Sequence, residues 1–231
     1  MSIHSGHRQR LKEQYLNNGL DGFTDYQVLE LLLFFAIPRI DTSPIAHALM
    51  DRFETLDRVM EAPASELMQV PGVGHNAVTL LKLINDAGRY YQVRRSENVK
   101  ILNNVNECGQ YMMPYFHGRP NETVFLLCLD AKCKVMACEK VGEGSVNSAS
   151  VPIRRIVELA LANHATSVVL AHNHPSGIAV PSSEDVVSTR RTAAALAAVD
   201  IILVDHIIVA DDDFVTLGQS GLYKPEEPYH G

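Results

Sequence analysis

The pattern of apolar and polar positions divides the chain into two parts. Up to about residue 93, apolar residues recur at spacings of three and four, which predicts helices. The clearest helix begins at Thr24 or Asp25, either of which can act as an N-cap, and stops before Pro38. Further helical sets occupy residues 45–53 and 77–90. The first part is therefore predicted to be an all-α domain, residues 1–93.

The second part follows a polar stretch, residues 94–106, which predicts a linker. Short runs rich in β-branched residues then predict four strands, at 123–129, 135–141, 167–171 and 201–210. Helical patterns alternate with these strands at 153–163 and 183–199. This alternation indicates a layered α/β domain over residues 107–223. Residues 224–231 are predicted to form a loose tail.

Composition places the chain among globular proteins, with 46% apolar and 20% charged residues. The longest apolar run, residues 31–37, is too short to span a bilayer, and the first residues lack the apolar segment of a signal peptide. We therefore expect no membrane partner. The four cysteines form no CxxC pair, which favours reduced thiols and a cytoplasmic location.

Charge bears on the choice of partner. The net charge is −7, with 10 basic and 12 acidic residues up to residue 99 and 10 basic and 15 acidic residues after it. Neither part has the positive excess of a protein that holds nucleic acid mainly through its phosphates.

The segment from His172 to Asp185 carries the most informative chemistry. Residues two apart on a strand point to the same side, so His172 and His174 can aim their imidazoles at one point. Asp185, in the first predicted turn of the next helix, can add a carboxylate, which completes a three-ligand zinc site with one open position. The alternative is structural, since Ser182 and Asp185 also have the spacing of a helix cap.

A family resemblance bears on this choice. The string His172-Asn-His-Pro, then Ser182-x-x-Asp185, resembles the signature of JAMM (JAB/MPN) metallopeptidases. With Asp205-His-Ile-Ile-Val added, essentially the whole chain resembles the RadC family. The resemblance implies a JAB/MPN-like second domain and a helix-hairpin-helix-like first one. It also implies that Zn²⁺ is the cofactor, with three ligands: His172, His174 and Asp185.

The same resemblance implies two catalytic residues. Ser182 matches the serine that helps to stabilise an oxyanion, and Glu122 matches the glutamate that takes a proton from water. Without the resemblance, we would favour an ordinary polar residue at the start of a strand as the interpretation of Glu122. One position departs from the pattern, because Arg155 stands where RadC-like sequences commonly have a glutamate.

Other histidines have weaker claims to a role. Asp205 and His206 are adjacent on a predicted strand, so their side chains alternate and cannot both face one site. Either one could orient a ligand histidine, although we favour a structural role for both. His75 and His164 are predicted to be surface histidines.

The loop Val70-Pro-Gly-Val-Gly74 resembles the hairpin of helix-hairpin-helix DNA binders. In such a hairpin, glycines let backbone N–H groups approach a phosphate, which predicts a weak DNA contact through Gly72–Gly74. The alternative is that these glycines only end a helix. The run Arg8-Gln-Arg-Leu-Lys12 is either a small basic patch or a solvated helix face.

These residues support two functional hypotheses. The first is a zinc-dependent hydrolase of the JAMM type that cleaves an amide or isopeptide bond in an unknown peptide or protein substrate. The second is a DNA-associated repair or recombination factor, in which the metal site is structural or acts on nucleic acid.

Overall fold

A computed structural model gives the structure of residues 3–97, 101–144 and 152–225. The chain forms two compact units, Met1–Gly88 and Arg89–Gly231. Within the described ranges, every helix is too short or too polar to cross a lipid bilayer.

The first unit is built from helices, as predicted. Its elements are α1 (Ile3–Asn18), α2 (Asp25–Ala36), α3 (Ser43–Phe53), α4 (Leu56–Glu61), α5 (Ala64–Leu67) and the first part of α6 (His75–Ser96). Thr24 caps α2 through a capping box with Gln27, which satisfies two backbone N–H groups at the helix start. The largest fully buried side chains of this unit are leucines from successive helices: Leu29, Leu33, Leu49, Leu67 and Leu81.

The predicted basic run on α1 has a structural role at Arg8. Its guanidinium donates hydrogen bonds to the carbonyls of Ile37 at 2.8 Å and Pro38 at 3.0 Å, and also to that of Ile40. These carbonyls follow the C-terminal end of α2, where backbone acceptors lack partners within the helix. Arg8 is thus a capping residue rather than a free cation.

The predicted linker, residues 94–106, is partly helical. Helix α6 continues through Arg94 and Arg95 to Ser96, and helix α7 (Val105–Met112) begins within the predicted linker. The cause is visible in the sequence, since no glycine or proline interrupts residues 94–106 and a polar composition alone does not end a helix. Residues 98–100 lie outside the described part, as do residues 226–231 of the predicted tail.

The second unit contains a five-stranded sheet with the order β2-β1-β3-β4-β5. Its strands are β1 (Glu122–Leu129), β2 (Val135–Gly144), β3 (Ser167–Asn173), β4 (Ile202–Ala210) and β5 (Asp213–Thr216). The four predicted strands are confirmed, whereas the short edge strand β5 was not predicted. All pairings are antiparallel except that of β3 with β4. That parallel pair requires a crossover, which α9 (Ser183–Ala197) provides.

The sheet has helices on both faces, which confirms the layered α/β class. Helix α8 (Ile153–Ala162) and α9 pack on one face against residues such as Leu126, Leu170 and Ile208. Helix α7 and the short 3-10 turn Met113–Tyr115 pack on the other face. The two faces of the central strands are therefore both buried, and the strands are almost continuously apolar.

A bulge in β4 decides which side chains face α9. Val168 pairs with Leu203, but Val169 pairs with Asp205, so Val204 is an extra residue in the ladder. A bulge reverses the alternation of side chains beyond it. His206 consequently lies on the α9 face and Asp205 on the opposite face.

Candidate metal centre

The two motif histidines meet at the carboxyl end of β3. His172 lies on the strand and is only 2% exposed, while His174 follows the strand and is held by a backbone hydrogen bond from its N–H to the carbonyl of Val209. The two Nε2 atoms are 2.9 Å apart. The predicted convergence of these imidazoles is therefore present.

Asp185 reaches the same point from the first turn of α9. Its Oδ1 lies 3.2 Å from His172 Nε2, and its Oδ2 lies 3.6 Å from His174 Nε2. Burial raises the pKa of Asp185, but the adjacent His172 imidazole and the hydrogen bonds from Ser182 outweigh burial and hold the pKa well below the usual range. The carboxylate is therefore ionised at neutral pH.

Asp185 uses its two carboxylate oxygens differently. Ser182 donates to Oδ2 from its hydroxyl and from its backbone N–H, both at 2.7 Å, and the N–H of Asp185 donates back to Ser182 Oγ. This is a capping box at the start of α9. Oδ1 remains directed at His172. The metal and capping interpretations of this motif are thus compatible, because the cap holds the carboxylate in place.

A backbone contact fixes the tautomer of His174. Its Nδ1 lies 3.1 Å from the carbonyl oxygen of Ile178. A carbonyl oxygen can only accept, so Nδ1 carries the hydrogen, and the Nε2 of neutral His174 presents a lone pair to the cluster. Ile178 belongs to the loop that the sequence Pro175–Pro181 turns back towards β3.

The donor set fits a metal ion. One ligand atom from each of His172, His174 and Asp185 lies within 4.8 Å of the others. Two ligands about 2.0–2.1 Å from a tetrahedral ion would be roughly 3.3 Å apart. The two Nε2 atoms are 2.9 Å apart and His172 Nε2 lies 3.2 Å from Asp185 Oδ1, both close to that value. Two imidazoles and one carboxylate are a typical ligand set for zinc that keeps a position open.

The register of the sheet relates Glu122 to His172. Val124 pairs with His172, so Glu122, two residues earlier, lies on the same face of the sheet as His172. Glu122 is half-buried at the start of β1, and its carboxylate has no hydrogen bond or ion pair with the described residues. It is not a member of the ligand cluster, and its catalytic role stays a prediction.

Ser182 is engaged by the helix cap. Its hydroxyl hydrogen is directed at Asp185 Oδ2, so the immediate effect of Ser182 is on the position of a ligand carboxylate. Stabilisation of an oxyanion by this hydroxyl stays a prediction.

His206 contacts the ligand cluster directly, which a purely structural role does not predict. Its Nε2 lies 2.8 Å from His172 Nδ1, and its Nδ1 lies 2.6 Å from the hydroxyl of Thr189 on α9. Burial holds the pKa of His206 well below its usual value, so the ring is neutral. The sequence had no signal for the bulge that turns His206 towards the cluster.

Asp205 has the structural role that was favoured for it. It is 3% exposed, and its Oδ1 accepts hydrogen bonds from the backbone N–H groups of His206 at 2.7 Å and Gly218 at 2.9 Å. These bonds hold the segment after β5 against β4.

The remaining predicted positions lie elsewhere. Gly72 and Gly74 belong to the connection between α5 and α6, and Gly72 has a positive φ of 86°. His75 and His164 are exposed, as is Arg155 on α8. A DNA contact through Gly72–Gly74 stays a prediction.

The layered fold and the His-His-Asp group define a domain of the JAB type. The family described as RadC-like JAB domain matches residues 102–222, which starts five residues before the predicted domain. A UPF0758 protein of Fusobacterium nucleatum is 33% identical, over 94% of this chain and 97% of that protein. A UPF0758 protein of Ruegeria pomeroyi is 34% identical, over 88% of this chain and 91% of that protein. The chain belongs to the RadC family.

Proposed function

We propose that the protein is a zinc-dependent hydrolase of the JAMM type, which cleaves amide or isopeptide bonds in a peptide or protein substrate. The observation that carries this proposal is the convergence of His172 Nε2, His174 Nε2 and Asp185 Oδ1 on one point. A cytoplasmic location is part of the proposal, because the four cysteines are free thiols.

The ligand geometry supports zinc more than a harder ion. Mg²⁺ and Ca²⁺ prefer oxygen ligands, whereas two imidazole nitrogens and one carboxylate suit zinc. A zinc ion held there would supply Lewis acidity, which makes water acidic enough to attack near neutral pH and polarises the substrate carbonyl.

Glu122 is the proposed general base. It shares a sheet face with His172, and no described side chain forms an ion pair with its carboxylate. In this role it takes a proton from the attacking water and returns it to the leaving amine, so the same group serves as base and then acid. Ser182 holds Asp185 in its ligand position through its hydroxyl and its backbone N–H. As the proposed donor to the developing oxyanion, the hydroxyl turns its single hydrogen away from Asp185 Oδ2, while the backbone N–H keeps its bond to that oxygen.

Elemental analysis of the full chain, purified without chelator, tests the metal site. We expect about one zinc per chain, and we expect Asp185→Ala and His174→Ala to lose it. His75→Ala is the matched control, because His75 is an exposed histidine outside the cluster. Zinc content that is unchanged in both ligand variants would overturn the site assignment.

A peptide library tests the chemistry. The zinc-loaded protein is incubated with peptides derived from a whole proteome and with ε-linked isopeptides, and new amino groups are identified by mass spectrometry. We expect cleavage by the wild type that is absent with Glu122→Gln. Equal cleavage by both proteins would contradict the proposed base.

A further inference from the structure

A series of short contacts connects the ligand His172 to α9, the helix that carries the ligand Asp185. His172 Nδ1 lies 2.8 Å from His206 Nε2, and His206 Nδ1 lies 2.6 Å from Thr189 Oγ1. Thr189 Oγ1 lies 2.5 Å from the backbone carbonyl oxygen of Asp185. The three side chains in this series, those of His172, His206 and Thr189, are buried.

The chemistry of each atom gives these contacts a direction. The Asp185 carbonyl can only accept, so the Thr189 hydroxyl must donate to it. Thr189 Oγ1 then accepts, and His206 Nδ1 must supply the hydrogen between them. Neutral His206 has only one N–H, so its Nε2 is an acceptor.

The final contact follows from that assignment. Because His206 Nε2 accepts, His172 Nδ1 must be the donor in the 2.8 Å contact. Hydrogen on Nδ1 leaves Nε2 of His172 as the ligand nitrogen, and Nε2 is the atom that faces His174 and Asp185.

We propose that Thr189 and His206 are positioning residues that fix His172 in its Nδ1–H tautomer and thereby raise the affinity of the site for zinc. The inference rests on the proposed function, since it concerns the same metal site. Partners of this kind orient a ligand imidazole and increase its basicity. This series of hydrogen bonds, which we call the relay, ends on the backbone carbonyl of Asp185. Asp185 therefore supplies the carboxylate ligand and also fixes the tautomer of the ligand His172.

Thr192 provides a matched comparison within α9. It is fully buried like Thr189, and its hydroxyl has no hydrogen-bond partner among the described residues. Replacing either threonine with valine keeps the side-chain shape and removes the hydroxyl. Only the change at Thr189 interrupts the relay.

Zinc affinity is the first measurement, made by competition with a chromogenic chelator on the full chain. We expect Thr189→Val to weaken zinc binding by about 10–100-fold, and we expect Thr189→Ser to restore it. Thr192→Val should bind zinc as the wild type does. Equal affinities for Thr189→Val and Thr192→Val, with both proteins folded by circular dichroism, would overturn the proposal.

The second measurement is the tautomer of His206 in the wild-type protein, read from the ¹⁵N shifts of its ring nitrogens. We expect hydrogen on Nδ1 and none on Nε2. Hydrogen on Nε2 would overturn the relay even if Thr189→Val failed to fold. A wild type that binds no zinc would instead refute the proposed function, so the two failures are distinguishable.

Discussion

Val124 on β1 lies directly opposite His172 on β3 in the antiparallel register, so their side chains share one face of the sheet. The period of two along β1 then places Glu122 on that face, just beyond the end of the buried strand core. In the sequence, only the family resemblance relates Glu122 to the metal site. In the structure, the sheet register relates Glu122 to His172.

This relationship predicts the behaviour of Glu122→Gln. The amide keeps the size of the side chain but cannot take a proton, so we expect loss of hydrolysis by at least about 100-fold with zinc content unchanged. Turnover and elemental analysis are measured on the same preparation. Glu139→Gln, an exposed glutamate of β2, is the control. Loss of zinc in Glu122→Gln would show that Glu122 is a ligand rather than a base.

Ser182→Ala is expected to affect both folding and metal binding. It removes the hydroxyl that caps α9 and bonds Asp185 Oδ2, so the free energy of unfolding should fall by about 1 kcal/mol. Zinc affinity should fall with it, because the carboxylate is less well oriented. Denaturant unfolding and chelator competition measure the two effects. Ser183→Ala changes an exposed neighbour and should alter neither the free energy of unfolding nor the zinc affinity.

Gly72 and Gly74 should respond differently to alanine. Gly72 has φ of 86°, and a Cβ there would lie 2.8 Å from Ile45 Cδ1, whereas a Cβ on Gly74 would meet open space. A side chain in the left-handed region costs roughly 1–2 kcal/mol, so Gly72→Ala should lower the melting temperature and Gly74→Ala should have little effect.

The same pair of variants tests the predicted DNA contact. DNA binding is measured at several salt concentrations, since a phosphate contact weakens as salt rises. Of the two interpretations of this loop, we favour glycines that only end a helix, so we expect no selective loss of DNA affinity in either variant. Selective loss in a fully folded Gly74→Ala protein would favour the DNA-associated hypothesis.

Thiol reactivity should separate the cysteines. Burial raises the pKa of Cys108 and of Cys128 to about 12. At pH 8, below that value, both stay neutral thiols, and the thiolate is the reactive form. We expect the exposed Cys133 to react quickly with Ellman's reagent in the native protein. Cys108 and Cys128 should react only after unfolding, and rapid native reaction of either would contradict their burial.

The sequence predicts much of this molecule because its strongest signals are local. Thr24, one of the two predicted caps, is the N-cap of α2, and strands β1 to β4 follow from runs of β-branched residues. The ligand pair His172 and His174 follows from the two-residue period of a strand.

Other features depend on contacts that periodicity does not encode. Strand β5 has only four residues and is stabilised by pairing with β4, so its own pattern is too short to predict it. Arg8 is recognised as a capping residue only once the end of α2 is located. The link between His206 and Thr189 joins residues 17 apart and depends on the packing of α9 against the sheet.

Because β4 has an extra residue, the adjacent residues Asp205 and His206 lie on faces of the sheet that are buried against different helices. Asp205 fastens the segment after β5 on one side, and His206 supports the ligand cluster on the other. Without the bulge, the same sequence would pair Val204 with Val169 and Asp205 with Leu170, which would exchange the surroundings of these two neighbours. The Asp205 carboxylate would then be buried on the α9 face, where His206 contacts His172 and Thr189. The position of the bulge is consequently a constraint on β4, and this strand should tolerate many substitutions more readily than a shift of the bulge beyond His206.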